Sequence, residues 1–569
     1  MIDRAALDQT IDNLIARLLS RRVEGGWWEG YLSSSALSTA TAVSALSLTT
    51  GDDVEPGLAW LAGTQNADGG WGDTTRSRTN ISTTILCWCA FSIARAESRH
   101  AATLARAEDW LRRTAGGIEP HRLKQAILAR YGTDRTFSVP ILTVMAIAGK
   151  LPWQDVPQLP FELAAFPRQL FGALRLPVVS YALPALIAIG QVRHHHRPSR
   201  NPLLRVPRNR LIPKTLDLLR HVQPTTGGYL EATPLTSFVL MSLASAGLRG
   251  HAVVQEGVRF LRNSARPDGS WPIDTNLATW VTTLAVKALG AAPPFDAASR
   301  RTIREWLVAQ QYREEHPYTH AAPGGWAWTP LPGGVPDADD TPGALLALRQ
   351  LGPVDPELRT AAESGVRWLI DLQNTDGGMP TFCRGWGKLP FDRSGADLTA
   401  HAVAAWQAWL PDLTPATQSA VRRAITRATA FLNRTQHRDG SWTPLWFGNE
   451  NASGEENPVY GTARTLAAVD NARALAWLQS AQNRDGGWGG APGAPSSIEE
   501  TAVVLEALSR APSPHLERGV QWLIEATERG TRITASPIGL YFARLWYFEE
   551  LYPLVFALGG LQRTRQALA

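Results

Sequence analysis

Three aspartates, Asp337, Asp339 and Asp340, stand within the short segment VPDADDTPGAL, directly before an apolar run. The start of a helix accounts for one such carboxylate, because the helix dipole and the free backbone N–H groups favour an acidic residue there. It does not account for three. Carboxyl groups this close resist joint ionisation, so one of them stays protonated. The spacing therefore predicts a general acid near the start of a helix.

A repeated unit surrounds this segment and must position it. Its clearest copies begin at Gly57, Gly257, Gly365, Ala428 and Ala474, as in GLAWLAGTQNADGGWGD. Each copy ends one helix, passes through a glutamine, an Asp-Gly turn and usually a tryptophan, and starts an Ala/Thr/Leu-rich helix. A period of roughly 40 to 55 residues of alternating helices is typical of α-solenoids and closed α/α barrels. With almost no strand signals, the chain is predicted to be all-α.

The glutamine and the tryptophan of the unit have a structural interpretation. Gln65, Gln373, Gln436 and Gln482 recur at the same place in the repeat, as do many of the 22 tryptophans. A catalytic residue is needed once, whereas a clamp between helices is needed at every turn. A glutamine amide can satisfy backbone groups left unpaired at a helix end. The aspartates of the Asp-Gly turns are interpreted in the same way, as turn residues.

Composition excludes several classes of function. Hydrophobic residues make up 44% of 569 residues, which suits a large core, and the net charge of +5 comes from dispersed basic residues, so nucleic-acid binding is not indicated. Three cysteines, Cys87, Cys89 and Cys383, are too few for a disulfide framework and indicate a reducing compartment. The N-terminal residues have helical periodicity and resemble no signal peptide. We therefore expect a cytoplasmic location.

Residues 136–192 break the repeat with an apolar stretch interrupted by prolines and followed by basic residues. The apolar part is short for a span across a bilayer. Two interpretations remain: peripheral attachment to one leaflet on its cytoplasmic side, with cationic residues near the headgroups, or a buried helix beneath a loop. The run His194-His195-His196 has no matching ligand set nearby, so no metal site is predicted.

The Q-x-x-x-G-x-W repeats, DADDT and the later DLTAH resemble the squalene-hopene cyclase family of class II terpene cyclases over almost the whole chain. The resemblance implies two α/α barrels with a largely apolar cavity between them, no metal or other cofactor, a linear polyprenoid substrate such as squalene, a membrane surface as partner, and a possible homodimer. It gives an N-terminal helix (1–22) that packs on the C-terminal barrel, a first barrel (23–275) and a second barrel carrying DADDT (276–569).

The same resemblance assigns roles at the site. Asp339 matches the general acid that protonates the terminal alkene, flanked by Asp337 and Asp340, and Asp397 and His401 match residues that hydrogen-bond and reload the acid. Asp397 and His401 are four residues apart on a predicted helix and so share a face. A protonated histidine would stabilise the conjugate base and strengthen the acid.

Aromatic side chains can stabilise the carbocation that follows protonation, through cation–π attraction of roughly 0.5 to 2 kcal/mol each. The alternative role for these aromatic side chains is to pack helices against one another. The residues that match aromatic cavity positions of the family are Trp280, Trp328, Phe382, Trp446, Tyr460, Tyr541 and Phe548.

Departures from the family pattern leave the product open. LSSSALSTA has serines where many relatives have an acidic residue associated with water, and SYALPAL replaces a Trp-Ser-Arg element. Formation of hopene or hopanol from squalene is the default, and another polyprenoid is an alternative. A protein prenyltransferase relative would need an Asp/Cys/His zinc set, which the sequence lacks. A non-catalytic lipid-binding α/α barrel is the remaining alternative.

Overall fold

The computed structural model describes residues 2–166, 182–290, 296–382, 393–510, 513–540 and 544–568. Helices of the N-terminal half are α1 (Arg4–Ser20), α2 (Ala36–Thr49), α3 (Glu55–Gly63), α4 (Ile81–Ile93), α5 (Ala101–Ala115), α6 (Pro120–Tyr131), α7 (Arg135–Ile147), α8 (Leu183–His196), α9 (Pro202–Val222), α10 (Thr233–Ser245) and α11 (Ala252–Ser264). Those of the C-terminal half are α12 (Ala278–Leu289), α13 (Ala297–Ala309), α14 (Asp340–Gln350), α15 (Pro356–Leu372), α16 (Ala396–Trp409), α17 (Pro415–Thr435), α18 (Pro458–Leu466), α19 (Ala472–Ser480), α20 (Ile498–Leu508), α21 (Pro514–Ala526) and α22 (Tyr552–Leu568).

Two closed rings of inner helices define the architecture. In the C-terminal half α12, α14, α16, α18, α20 and α22 pack in succession, and α22 closes onto α12. In the N-terminal half α2, α4, α7, α8 and α10 do the same, with α10 closing onto α2. The remaining helices lie outside the rings. The all-α fold with two α/α barrels is confirmed.

Burial explains which helices are inner and which are outer. Every residue of α4 from Ile81 to Phe91 is buried, because the helix is apolar or small on all faces. The outer helix α17 buries only one stripe, at Val421, Ala424 and Ala428 among others. Cys87 and Cys89 are buried in α4, as expected of small apolar residues. Cys383 lies outside the described residues.

The repeat turns are held by the same hydrogen bonds in copy after copy. The Trp71 indole N–H donates to the Leu61 carbonyl, and the Gln65 amide donates to the carbonyls of Gly69 and Thr103 on the next outer helix. Trp271, Trp326, Trp442 and Trp488 repeat the indole bond. In one copy Tyr229 replaces tryptophan, and its hydroxyl donates to the Leu219 carbonyl instead. The structural interpretation of the repeat is confirmed.

The turn aspartates are confirmed as turn residues as well. Asp68 Oδ1 accepts a hydrogen bond from the N–H of Gly70, and the later copies do the same. The glycine between them, Gly69, has φ +98°, and a Cβ there would lie 2.6 Å from the Arg106 carbonyl oxygen. The turn therefore requires glycine for both conformation and space.

Short strands pair within each half of the described chain. They are β1 (Ser34–Ser35), β2 (Trp271–Pro272), β3 (Phe447–Gly448), β4 (Ile538–Leu540) and β5 (Leu545–Tyr547). β1 pairs with β2, and β3, β4 and β5 form an antiparallel sheet in that order. Helix α1 packs against α21 and α22. The predicted domain boundaries at 22 and 275 stay predictions.

Residues 136–192 contribute most of α7, two 3-10 helices (Trp153–Asp155 and Phe161–Ala165) and the start of α8. Residues 167–181 of this segment lie outside the described part of the chain. None of the described helices is both long enough and apolar enough to cross a membrane. His194 Nε2 lies 2.8 Å from the amide oxygen of Asn209.

Candidate active site

The turn before α14 sets the three aspartates in different environments. Asp337 Oδ1 accepts hydrogen bonds from the backbone N–H groups of Asp339 and Asp340, at 2.8 and 2.7 Å. Asp339 occupies the N-cap position, yet its side chain makes no capping hydrogen bond. Asp337 accepts the hydrogen bonds of the backbone N–H groups at the start of the helix, so the Asp339 carboxyl can contact another partner.

That partner is His401. Its Nδ1 lies 2.6 Å from Asp339 Oδ1, across the gap between α14 and α16. The Trp280 ring meets the imidazole edge-on, with centroids 6.1 Å apart. Burial lowers the pKa of His401, although the Asp339 carboxyl opposes this. The tautomer of the imidazole decides which atom donates in this contact, which involves Oδ1 and not Oδ2 of Asp339.

The flanking carboxyls are pushed towards their neutral forms. Burial raises the pKa of Asp337 to about 7. Burial, with the adjacent Asp337 charge, raises the pKa of Asp340 well above its usual range. Asp340 Oδ1 is buried and accepts no hydrogen bond from the described residues. The cluster therefore carries less negative charge than three free aspartates would.

Asp397 lies one turn before His401 on α16, but its hydrogen bond goes elsewhere. Asp397 Oδ1 accepts from the backbone N–H of Leu445, at 3.0 Å. Burial raises the pKa of Asp397 to about 6, and the charge of Asp339 adds to the rise. The contact anchors the segment that leads into β3. Its role in reloading the acid stays a prediction.

A largely apolar cavity of about 220 Å³ opens in front of the aspartates. Of the predicted aromatic residues, Trp280, Trp328, Phe382 and Trp446 line it. Phe382 makes edge-on contacts with both Trp328 and Trp446, with centroids 6.1 and 5.9 Å apart. The Trp446 indole N–H donates to Thr381 Oγ1, which fixes the ring orientation. Asp337, Asp339 and Asp340 also line the cavity.

Other predicted aromatics lie elsewhere. Tyr460 is buried behind the cavity wall, packed on Phe447 with centroids 4.6 Å apart. The structure places Phe548 at a different pocket, with the Arg76 guanidinium 4.6 Å over its ring. The preceding residue, Tyr547, lines the cavity instead, because side chains alternate along a strand. Phe548 is thus not among the residues that line this cavity, its cation-stabilising role stays a prediction, and Tyr541 lies outside the described residues.

Sequence reasoning missed Phe447, Tyr547, Tyr552 and Asp274 as cavity residues. The sequence held a signal for Phe447, which directly follows the predicted Trp446, and for Tyr552, which starts α22. Asp274 carried none, because it follows a turn and reads as a loop residue. Burial raises its pKa well above the usual range, and neighbouring Glu231 adds to the rise.

Inner helices of the second barrel present their N-terminal ends to the acid. Trp280, Asp340, Asp397, Tyr460 and Tyr552 each lie in the first turn of such a helix. The positive ends of helix dipoles favour negative charge nearby. The arrangement therefore favours negative charge on the aspartates. Among the described residues, no group of three or more His, Cys, Asp or Glu side chains could hold a metal ion.

Comparison with known proteins agrees with this geometry. The family model for the squalene-hopene cyclase N-terminal domain matches residues 11–202, and that for the C-terminal domain matches residues 277–566. The chain belongs to the squalene-hopene cyclase family.

Individual relatives vary in their named products. A terpene cyclase-glycosyl transferase fusion protein of Humicola fuscoatra is 26% identical over 98% of this chain and 50% of its own length. The chain thus spans about half of that relative. The squalene-hopene cyclase of Alicyclobacillus acidocaldarius is 24% identical over 82% of this chain and 79% of its own. The structure of ent-copalyl diphosphate synthase from Streptomyces platensis shares the fold, with a TM-score of 0.57, 19% identity and 99% of each chain covered.

Proposed function

We propose that this protein is a class II terpene cyclase, which protonates a linear polyprenoid and cyclises it. The observation that carries the proposal is the 2.6 Å contact between Asp339 and His401 at the wall of an aromatic cavity. A carboxylic acid in such a place meets the two needs of alkene protonation, which are a retained proton and the exclusion of water.

The reaction begins with the proton on Asp339 Oδ2. The π electrons of the terminal alkene form the new C–H bond, and the O–H electrons remain on the carboxylate. The substrate becomes a tertiary carbocation, and the next alkene attacks it to form a ring. The faces of Trp280, Trp328 and Phe382 stabilise the moving charge. Loss of a proton or addition of water ends the cascade.

Squalene is the proposed substrate, and a pentacyclic triterpene of the hopene or hopanol type is the proposed product. Support comes from the two family models and from the squalene-hopene cyclase relative. A different polyprenoid is the second candidate substrate, because the chain departs from the family pattern at the positions associated with termination. The alternative of a non-catalytic lipid-binding barrel requires no transferable proton at Asp339.

The test is an assay of the purified protein in detergent with squalene, analysed by gas chromatography and mass spectrometry. We expect cyclic hydrocarbon or alcohol, and no product from Asp339→Asn, because an amide has no acidic proton to transfer. Asp109→Asn is the matched control, since Asp109 is an exposed residue of α5 paired with Arg113. Full activity of Asp339→Asn would remove Asp339 from its role. Shorter and longer polyprenoids assayed in parallel identify the preferred chain length.

We further propose that the protein attaches to the surface of one membrane leaflet. An exposed apolar patch supports this, formed by Leu163, Phe166, Leu203, Leu204 and Val206. Leu203 is 80% exposed. Such exposure is costly in water and typical of an interaction surface.

The two segments of the patch are held together by an ion pair. Arg208 Nη2 lies 2.9 Å from Glu162 Oε1, which fixes the start of α9 beside the 3-10 helix Phe161–Ala165. Arg205 and Arg210 are exposed beside the apolar side chains. Basic residues next to an apolar patch favour a membrane with anionic headgroups.

A further inference from the structure

A half-buried charged cluster lies further along the inner helices of the second barrel than the aspartates, where it lines a separate cavity. Arg464 of α18 and Lys287 of α12 both pair with Glu506 of α20, at 3.3 and 3.5 Å. All three side chains are less than a quarter exposed. With two cations and one anion, this Lys287–Arg464–Glu506 cluster carries a net charge of +1.

The cluster continues the helices that form the catalytic site. Arg464 follows Tyr460 by one turn of α18, and Lys287 follows Trp280 by two turns of α12, about 10 Å along the axis. His401 follows Asp397 by one turn of α16, the neighbour of α18. By helix position, Tyr460 is therefore level with the carboxyls, His401 and Arg464 lie one turn further along the barrel, and Lys287 lies about one turn beyond them.

Packing fixes the Arg464 guanidinium in place. It lies 5.1 Å from the centroid of the Tyr460 ring and 5.0 Å from that of Phe556. Tyr460 in turn packs on Phe447 of the cavity wall. A guanidinium remains protonated across the pH range of proteins, so its charge is permanent.

We propose that Arg464, assisted by Lys287, is a positioning residue that supplies the positive potential behind Asp339 and so strengthens the acid. This rests on the proposed function of Asp339. In this arrangement the neutral His401 orients the acid through its N–H, and the permanent cations stabilise the carboxylate left after proton transfer. Burial lowers the pKa of His401, Asp339 opposes this, and the charges of Lys287 and Arg464 add to the lowering. Against the effect of burial, Tyr460 and Glu506 raise the pKa of Arg464, and the charge of Asp339 adds to that rise.

Other charged or titratable groups also face the acid pair. Burial alone would raise the pKa of Glu506, but Lys287 and Arg464 outweigh it and lower the value to about 2, so Glu506 is ionised and offsets part of the positive charge. The further groups packed around the pair are Asp337, Asp340, Asp397, Tyr460, Tyr547 and Tyr552, and Arg563 lies beyond Glu506. The variants below leave this surrounding set unchanged.

The test compares pH–rate profiles of the detergent-solubilised wild type, Arg464→Met, Arg464→Lys and Lys287→Met. Removal of the Arg464 charge weakens the acid, so kcat should fall by up to about tenfold for each unit of lost acid strength. The alkaline limb of the profile should move to higher pH, because a weaker acid keeps its proton longer. Lys287→Met should shift the limb in the same direction, and Arg464→Lys should retain most of the wild-type rate and profile.

A melting curve for each variant separates this effect from misfolding. The proposal is overturned if Arg464→Met is folded and its pH–rate profile is the same as that of wild type. It is also overturned if Arg464→Lys loses as much activity as Arg464→Met and neither limb of its pH–rate profile shifts. If Arg464→Met does not fold, the test rests on Lys287→Met: a shift of its alkaline limb to higher pH supports the proposal, and no shift overturns it. A wild type that cyclises nothing, with Asp339→Asn no different from it, would instead refute the proposed function.

Discussion

At the scale of single residues, the site divides one task among carboxyls that look alike in sequence. Asp337 caps the turn with two backbone hydrogen bonds, Asp340 is buried with its pKa raised by that burial, and Asp339 contacts His401. The division follows from the backbone conformation of four consecutive residues. Chemistry is proposed for the one that caps nothing.

The raised pKa of Asp337 predicts a pH dependence of stability. Its folded-state pKa of about 7 lies above the unfolded value, so the folded protein binds the proton more tightly and stability falls as pH rises towards and through 7. Asp337→Asn should keep both accepted hydrogen bonds and remove this dependence. We expect the variant to gain about 2 kcal/mol relative to wild type between pH 5 and pH 8.

Urea unfolding at several pH values measures this difference. Asp109→Asn is again the control, because its exposed carboxyl should leave the pH dependence as in wild type. Parallel curves for wild type and Asp337→Asn would show that Asp337 ionises in the folded protein as it does in the unfolded chain.

At the scale of elements, the repeat turn is a device for joining an outer helix to the next inner one. The tryptophan closes the carbonyl end of the preceding helix, and the glutamine links that turn to the following outer helix. In the copy with Tyr229, a hydroxyl replaces the indole N–H as the donor to the helix carbonyl. The repeats therefore share a hydrogen-bond donor at this position rather than one residue type.

Loss of a glutamine clamp should cost most where the clamp is most buried. Gln373 is 1% exposed and donates to the carbonyls of Gly377 and Ala424. Gln373→Met removes both hydrogen bonds from this buried turn, so we expect a loss of about 1 to 3 kcal/mol in the free energy of unfolding. The equivalent change at half-buried Gln482 should cost less, because water can reach its partners.

Urea denaturation measures both losses. Gln521→Met provides the control, since Gln521 is exposed and donates to Glu525 one turn away. Equal losses at Gln373 and Gln521 would mean that the repeat glutamines stabilise nothing beyond ordinary surface contacts.

At the scale of the whole molecule, the two barrels meet at the cavity, and the exposed apolar patch lies in the first barrel. Trp328 and Trp446 pack against the hydrophobic cores of both halves. Asp339 belongs to the second barrel. Part of the opposite wall of the cavity, including Leu230 and Ala232, belongs to the first barrel. A water-poor site therefore depends on the contact between the halves.

The exposed patch gives a prediction at this scale. The double variant Leu203→Glu/Val206→Glu should lower cosedimentation with vesicles of neutral and anionic phospholipids by tenfold or more, because burial of each apolar side chain stabilises attachment by about 1.5 to 3 kcal/mol. Turnover in detergent should remain as in wild type. Leu128→Glu on α6, a partly exposed leucine elsewhere, is the control. Unchanged cosedimentation of the double variant would exclude the patch as the attachment surface.

The repeat and its period determined the all-α class, and the recurrence of glutamine and tryptophan determined that they are structural, because both depend on local spacing. The crowding of Asp337, Asp339 and Asp340 likewise predicted a site. Only the tertiary structure decided which carboxyl contacts His401, that Tyr547 and not Phe548 faces the cavity, and that Arg464 and Lys287 both pair with Glu506. These facts depend on the register of a short strand and on the closure of a ring of helices distant in sequence, and no local pattern of residues encodes either.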